Sequence, residues 1–108
     1  MNALAISNMT AVRMAVIAER TNSTFAAGVK AMMIESLKEK LRNGVAHFVY
    51  LKKNGELREA FGTTNKTIVA KYTNGRGCSR ELFKTTAYFD IEAGAFRSFC
   101  WEAIVSVG

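Results

Sequence analysis

The sequence predicts an α+β protein in which helices come first and a small antiparallel β unit follows. Up to Asn43 the chain is rich in Ala, Met, Leu, Glu and Lys, which lose little rotamer freedom in a helix. After Gly44 it changes to Val, Ile, Phe, Tyr and Thr interrupted by glycines, a composition typical of half-buried strands. We therefore expect a helical segment over residues 1–44 and a β domain over residues 45–108.

The composition indicates one small basic domain. The 108 residues include 15 Lys and Arg against 9 Asp and Glu, which gives a formal net charge of +6. Hydrophobic residues make up 49% of the chain, as in ordinary globular domains. No uncharged stretch approaches the roughly 18 residues of a membrane span. The first positive side chain, Arg13, follows several apolar residues, unlike the order in a secretory signal. We expect a cytoplasmic protein without membrane attachment.

The clearest helix is predicted from about Phe25 to Arg42. Ser23 or Thr24 can cap its first turn, and Asn43 with the following glycine suits its exit. An apolar stripe recurs on it at helical spacing. We expect this stripe to pack on the β domain, and the alternative is a partner-binding face. The stripe comprises Phe25, Val29, Met32, Met33, Leu37 and Leu41.

Residues 3–20 are predicted to form an earlier helix. Val12, Val16 and Arg20 fit helical spacing, whereas Val12, Met14 and Val16 equally fit the alternation of a strand. The polar residues 21–23 separate this segment from the next helix.

Five short antiparallel strands are predicted after Gly44. Asn54-Gly55 is the strongest hairpin signal, because both residues accept the positive φ angles of tight primed turns. Five strands of this length suit a small, strongly bent barrel. The expected strands are residues 45–52, 56–63, 85–91, 95–101 and 104–107. Most rings of the last two long strands are expected to fill the core: Phe89, Phe96, Phe99 and Trp101.

Residues 50–63 and 88–107 resemble the WYL-2 domains of Bacteroides-type bacteria and their phages. The resemblance rests on a Lys-x-x-Gly-x-x-Arg-x-x-x-Gly-Thr hairpin followed by Tyr-x-Asp, a glycine turn and Arg-Ser-Phe. It implies an SH3-like, Sm-like β-barrel of five strands, a class that elsewhere binds nucleic acid, peptides or small regulatory ligands, and it implies no catalytic residue. The matching residues are Lys52, Gly55, Arg58, Gly62, Thr63, Tyr88, Asp90, Arg97, Ser98 and Phe99.

The densest positive charge lies between residues 65 and 84, where five cations face one acid, Glu81. Residues 72–80 are rich in glycine and small polar residues and predict a long inter-strand loop. Cations of this kind neutralise phosphates, and an aromatic ring offers a face to a base. The alternative is an ordinary solvated surface. The predicted nucleic-acid-binding residues are Lys66, Lys71, Tyr72, Arg76, Arg80 and Lys84.

Two arginines in the β domain predict a second polar site. Arg58 and Arg97 are expected to form ion pairs with Asp90 or Glu59 across the sheet. The alternative is that their guanidinium groups bind a phosphate or carboxylate ligand.

Enzymatic and metal sites are not expected. The single histidine, His47, lies in an apolar run typical of a strand, and no zinc-ligand spacing occurs around it. Cys78 and Cys100 are expected to be reduced thiols. We therefore expect no metal, no cofactor and no catalysis.

The favoured function is a non-catalytic nucleic-acid-binding module that uses the basic inter-strand loop. The alternative is a protein-interaction or structural subunit of a phage or mobile element, docking or self-associating through its methionine-rich helices. A ligand-sensing regulator is implied only by the family resemblance. The methionines are Met1, Met9, Met14, Met32 and Met33.

Overall fold

The computed structural model describes residues 8–73 and 83–108. Two helices are followed by a five-stranded antiparallel sheet, which confirms the predicted α+β order. The elements are α1 (Asn8–Thr21), α2 (Thr24–Asn43), β1 (Ala46–Leu51), β2 (Leu57–Thr63), α3 (Lys66–Thr73), β3 (Thr85–Asp90), β4 (Ala95–Cys100), a 3₁₀ turn (Trp101–Ala103) and β5 (Ile104–Val107).

The helical boundaries follow local capping chemistry. Ser23 caps α2, because its hydroxyl accepts a hydrogen bond from the backbone N–H of Ala26 at 3.1 Å. Residues 8–21 form a helix and not a strand, with Ile17 fully buried in the core. None of the helices in the described ranges combines the length and hydropathy needed to cross a bilayer.

The sheet has the strand order β4-β3-β2-β1-β5. Its pairing is antiparallel throughout, and the ladder between β1 and β5 shifts register between Val49 and Tyr50, which bends the sheet. Among the described strands β4 and β5 form the two edges and do not pair with each other. The five strands therefore make an SH3-like sheet that is bent as predicted but is not closed into a barrel.

Part of the apolar stripe that was predicted to pack α2 on the β domain is exposed to solvent. Phe25 is 82% exposed, and Val29 and Met32 are also exposed. The buried face of α2 is instead Ala27, Ala31, Ile34, Leu37 and Leu41. The reason is that α1 packs along α2, and small alanine side chains at every fourth position suit a closely packed helix pair better than bulky Phe or Met.

A single apolar core joins the helices to the inner face of the sheet. Tyr88 is fully buried within it, as is Phe48, and their rings meet edge to face at 4.9 Å. Gly62 lies directly beneath the Tyr88 ring, because a Cβ at residue 62 would be 2.5 Å from Cδ2 of Tyr88. A side chain at this position would displace the tyrosine. Of the four aromatic residues predicted for the core, Phe89, Phe99 and Trp101 are buried and Phe96 is half-buried.

The basic inter-strand loop predicted from Lys66 to Lys84 is helical in its first part, because Lys66–Thr73 form α3. The Asn65 side-chain oxygen accepts hydrogen bonds from the backbone N–H groups of Thr67 and Ile68 and so caps this helix. The turn-forming residues further along, including Arg76, Cys78 and Arg80, lie outside the described residues.

Candidate functional site

The predicted basic segment begins on the exposed face of α3. Lys66 and Lys71 are both exposed, and Lys84 is half-buried just before β3 with a positive φ of 74°. Within residues 8–73 and 83–108, none of these three lysines forms an ion pair with a carboxylate. The other two predicted cations, Arg76 and Arg80, lie outside the residues that the structure describes. The described part of the segment therefore presents positive charge that no described acid neutralises.

A row of aromatic rings anchors α3 on the outer face of the sheet. The Tyr72 ring lies 5.7 Å from the ring of Phe89, which in turn meets the ring of Phe96 edge to face at 5.0 Å. Phe89 is buried, whereas Tyr72 is 54% exposed. The sheet thus holds the tyrosine in place while part of its ring stays in solvent, beside the lysines of the same helix.

The two predicted arginines meet at one buried carboxylate. Nε of Arg97 donates to Oδ2 of Asp90 at 2.9 Å, and Nη1 of Arg58 lies 3.9 Å from the same oxygen. The other oxygen of Asp90 accepts a hydrogen bond from the backbone N–H of Ala93 at 3.0 Å. Glu59, the second predicted acid, pairs instead with His47. Both oxygens of Asp90 are therefore occupied, and one carboxylate faces two guanidinium groups.

Two tyrosines lie beside these arginines on the inner face of the sheet. Tyr50 is the cross-strand neighbour of Arg58, and Tyr88 is the cross-strand neighbour of Arg97. The two tyrosine hydroxyls are 2.7 Å apart. Burial raises the pKa of Tyr88, and the hydrogen bond to Tyr50 raises it further. Tyr88 is therefore neutral at physiological pH and adds no negative charge to balance the arginines.

A cleft of about 620 Å³ opens above this cluster, within the usual size range of small-ligand sites. It lies between the hairpin end of β1 and β2, β4 from Phe96 onward and the 3₁₀ turn. Sequence analysis assigned Arg58 and Arg97 to this site but not Lys52 and Lys53. These two lysines directly precede the Asn54-Gly55 turn. The cleft is lined among others by Tyr50, Lys52, Lys53, Arg58, Phe96 and Arg97.

The rim of the cleft is fixed by an ion pair to α1. Nη1 of Arg20 lies 3.0 Å and 2.9 Å from the two carboxylate oxygens of Glu102, and this hydrogen bonding raises the pKa of Arg20. Nζ of Lys30 donates to the backbone carbonyl of Glu102 at 2.7 Å. Glu102 is thus already paired and does not neutralise the cations that line the cleft.

The sequence matches the WYL_2 family, described as an Sm-like SH3 beta-barrel fold, over residues 34–105. This chain belongs to the WYL_2 family. The matched region begins within α2, so it includes the part of that helix that covers the sheet. The family is defined by a small barrel domain and is not a known enzyme family.

The WYL_2 domain also resembles a phage protein. It is 31% identical over 81 residues to an uncharacterized 11.5 kDa protein in the Gp31-cd intergenic region of Enterobacteria phage T4, covering 72% of this chain and 79% of the relative. No solved structure matches the chain with significant similarity. The expected family and its association with phages are therefore confirmed.

Several residues that carry the resemblance build the WYL_2 fold itself. Gly62 gives room to the Tyr88 ring. The hydroxyl of Thr63 donates to the backbone carbonyl of Gly44 at 2.7 Å, which ties the end of β2 to the end of α2. Arg58 and Arg97, by contrast, line the cleft.

The single histidine, His47, contacts an acid on the neighbouring strand. Nε2 of His47 lies 2.8 Å from a carboxylate oxygen of Glu59, and its ring stacks on Phe61 at 4.7 Å between centroids. Cys100 is a half-buried free thiol at the end of β4. Among the residues that the structure describes, no group of three or more His, Cys, Asp or Glu side chains could hold a metal ion.

Proposed function

We propose that this WYL_2 domain binds nucleic acid without catalysing a reaction, through the basic segment that starts at α3. The observation that carries the proposal is the grouping of Lys66 and Lys71, both exposed and free of described acids, with the part-exposed ring of Tyr72 on one short helix. The predicted cations Arg76, Arg80 and Lys84 extend the same segment along the sequence.

The chemistry of this helix suits a phosphate backbone with accessible bases. Lysine ammonium groups neutralise phosphates and release condensed counterions, so affinity falls steeply as salt rises. Tyr72 offers a ring for base stacking, and its contact with Phe89 limits the entropy lost when a base stacks on it. None of these contacts reads base edges. We therefore expect weak sequence preference and stronger binding to single strands than to duplex.

The salt dependence of binding tests this proposal. The double variant Lys66→Gln/Lys71→Gln should weaken binding of a labelled single-stranded oligonucleotide about tenfold at about 50 mM salt. It should also reduce the slope of log K against log salt by about 1.4, because roughly 0.7 is lost per phosphate contact on single strands. Fluorescence anisotropy across a salt series measures both quantities.

The matched control for net charge is Lys38→Gln/Lys40→Gln on α2, which removes the same two charges elsewhere. It should lower affinity less than threefold. Equal losses in the two double variants would contradict a binding surface on α3. A wild-type dissociation constant weaker than the usual nonspecific limit of about 100 μM would contradict nucleic-acid binding altogether.

We propose as a second candidate function that the helical segment mediates assembly with another copy of the chain. The observation that favours it is the exposed apolar row on α2, Phe25, Val29 and Met32, whose spacing of four and three residues is that of a helix-pairing seam. Gly28 and Ser36 border this row and would let a second helix approach closely. An identical α2 presents the same seam and can therefore pair with it symmetrically.

Light scattering after size-exclusion chromatography tests self-association. The wild-type chain is expected to run as a dimer at tens of micromolar, and Phe25→Ser/Met32→Gln is expected to be monomeric with unchanged circular dichroism, because both side chains are exposed. A matched surface variant, Leu57→Gln, removes an exposed apolar side chain elsewhere and should stay dimeric. A monomeric wild-type protein over this range would exclude this second function.

A further inference from the structure

We propose that the cleft between the β1–β2 hairpin and β4 is a binding site for a phosphate monoester. The site is separate from α3 and goes beyond the proposed nucleic-acid surface. It takes its chemistry from two half-buried guanidinium groups, two lysines and an aromatic wall.

At Asp90, one carboxylate faces two guanidinium groups. Its carboxylate is buried and serves both Arg58 and Arg97, whose side chains are 26% and 35% exposed. The carboxylate of Asp90 therefore neutralises only one of the two guanidinium charges, and both guanidinium groups are partly shielded from solvent. Like charges kept together in this way repel, and an incoming anion removes the repulsion.

The cleft as a whole carries a net positive charge. Lys52 and Lys53 add two cations to the two arginines of the lining. Asp90 neutralises one of the four, and Glu56 neutralises another through its 3.5 Å contact with Lys52. Two positive charges remain, which matches a phosphate monoester, since this group carries −1.5 to −2 near neutral pH. A carboxylate ligand would leave the cleft still positive.

The hydrogen-bond donors of Arg97 are held in a fixed orientation. Arg97 binds Asp90 through Nε, and no described group accepts a hydrogen bond from its two terminal nitrogens. Asp90 is itself fixed by the backbone N–H of Ala93. The guanidinium plane is therefore positioned before a ligand arrives, with its remaining donors available for the paired hydrogen bonds that arginine makes to phosphate.

The aromatic wall indicates what the phosphate is attached to. Tyr50 and Phe99 line the cleft on the same face of the sheet as Arg97, and their rings stack at 4.8 Å between centroids, so an aromatic group linked to the phosphate can contact them. A free nucleotide and the phosphorylated end of a nucleic-acid strand both present this combination. The shared ligand chemistry is a terminal phosphate on a nucleoside.

Calorimetric titration with adenosine monophosphate, adenosine and inorganic phosphate tests the site directly. Adenosine monophosphate should bind with one-to-one stoichiometry, and adenosine should bind at least tenfold more weakly because it lacks the charge. Arg58→Gln should weaken adenosine monophosphate binding about tenfold, as loss of a charge-assisted hydrogen bond does. Lys53→Gln should weaken it about threefold and cannot disturb the fold, because Lys53 is exposed and has no described partner.

The matched control is Lys40→Gln, which removes one exposed charge from α2, away from the lining of the cleft, and should leave adenosine monophosphate binding unchanged within twofold. A second arm compares one oligonucleotide with and without a terminal phosphate. Tighter binding of the phosphorylated strand, lost in Arg58→Gln, supports the site with a strand end as its ligand, even if free adenosine monophosphate does not bind.

The proposal is overturned if neither adenosine monophosphate nor the terminal phosphate contributes to binding at millimolar concentration. It is also overturned if Lys40→Gln weakens adenosine monophosphate binding as much as Arg58→Gln does. Failure of this proposal can be distinguished from failure of the nucleic-acid surface on α3. The surface on α3 is tested separately, by the effect of Lys66→Gln/Lys71→Gln on the binding of strands that lack a terminal phosphate.

Discussion

Replacing Trp101 by alanine is expected to lower the free energy of unfolding by about 3–5 kcal/mol, the largest effect of any single substitution considered. Trp101 is 1% exposed and lies in the 3₁₀ turn that joins the two edge strands. Its Nε1 donates to the backbone carbonyl of Thr85 at 2.9 Å, and the guanidinium of Arg13 lies over its ring at 5.6 Å. The substitution leaves a large cavity between helices and sheet and removes the indole hydrogen bond to the Thr85 carbonyl.

Denaturant unfolding followed by far-ultraviolet circular dichroism measures this effect, since the variant lacks the only tryptophan of the chain. Trp101→Phe keeps most of the volume and loses the indole N–H, so a loss of only about 1–2 kcal/mol is expected. A loss below about 1 kcal/mol in Trp101→Ala would mean that this turn does not couple the helices to the sheet.

Replacing Asp90 by alanine is expected to cost about 2–3 kcal/mol of unfolding free energy. Removing one partner of a fully buried ion pair costs about 3–5 kcal/mol, and the part-exposed state of Arg58 and Arg97 reduces this through solvent screening. The variant also loses the acceptor for the backbone N–H of Ala93, which shapes the turn between β3 and β4. Two guanidinium groups are then left together without a counterion.

A double-mutant cycle identifies the cause of this loss. Asp90→Asn keeps an oxygen for Ala93 and should cost about half as much as Asp90→Ala. In an Arg58→Met background, where only Arg97 remains to be neutralised, Asp90→Ala should cost about 1 kcal/mol less than in the wild-type chain. Equal costs in both backgrounds would show that the carboxylate serves the turn alone and not the arginine pair.

Local sequence signals were sufficient to predict much of the fold. Ser23 marked the start of α2, because N-cap chemistry needs only the neighbouring backbone. The Asn54-Gly55 turn marked the hairpin between β1 and β2, where Gly55 has a φ of 90°. Such signals act over a few residues and do not depend on what packs nearby.

The features that could not be predicted depend on tertiary contacts. The buried face of α2 was missed at Ala27 and Ala31 because a hydrophobic stripe shows which residues are apolar and not which face another helix will cover. The helix α3 was missed because residues 66–84 were interpreted as a loop, whereas the Asn65 side chain caps a helix whose Tyr72 packs on Phe89. The grouping of Lys53 with Arg97 in one cleft follows from the bend of the sheet, which no spacing in the sequence records.

Amide chemical-shift mapping tests the central claim most directly, because it locates bound nucleic acid on the wild-type chain without any substitution. Titration of isotope-labelled protein with a single-stranded oligonucleotide lacking a terminal phosphate is expected to shift the amides of residues 66–73 and of Lys84 most strongly, while those of the exposed face of α2 stay unchanged. The largest shifts on α2 around Val29 and Met32, or no shifts at saturating oligonucleotide, would contradict binding through α3.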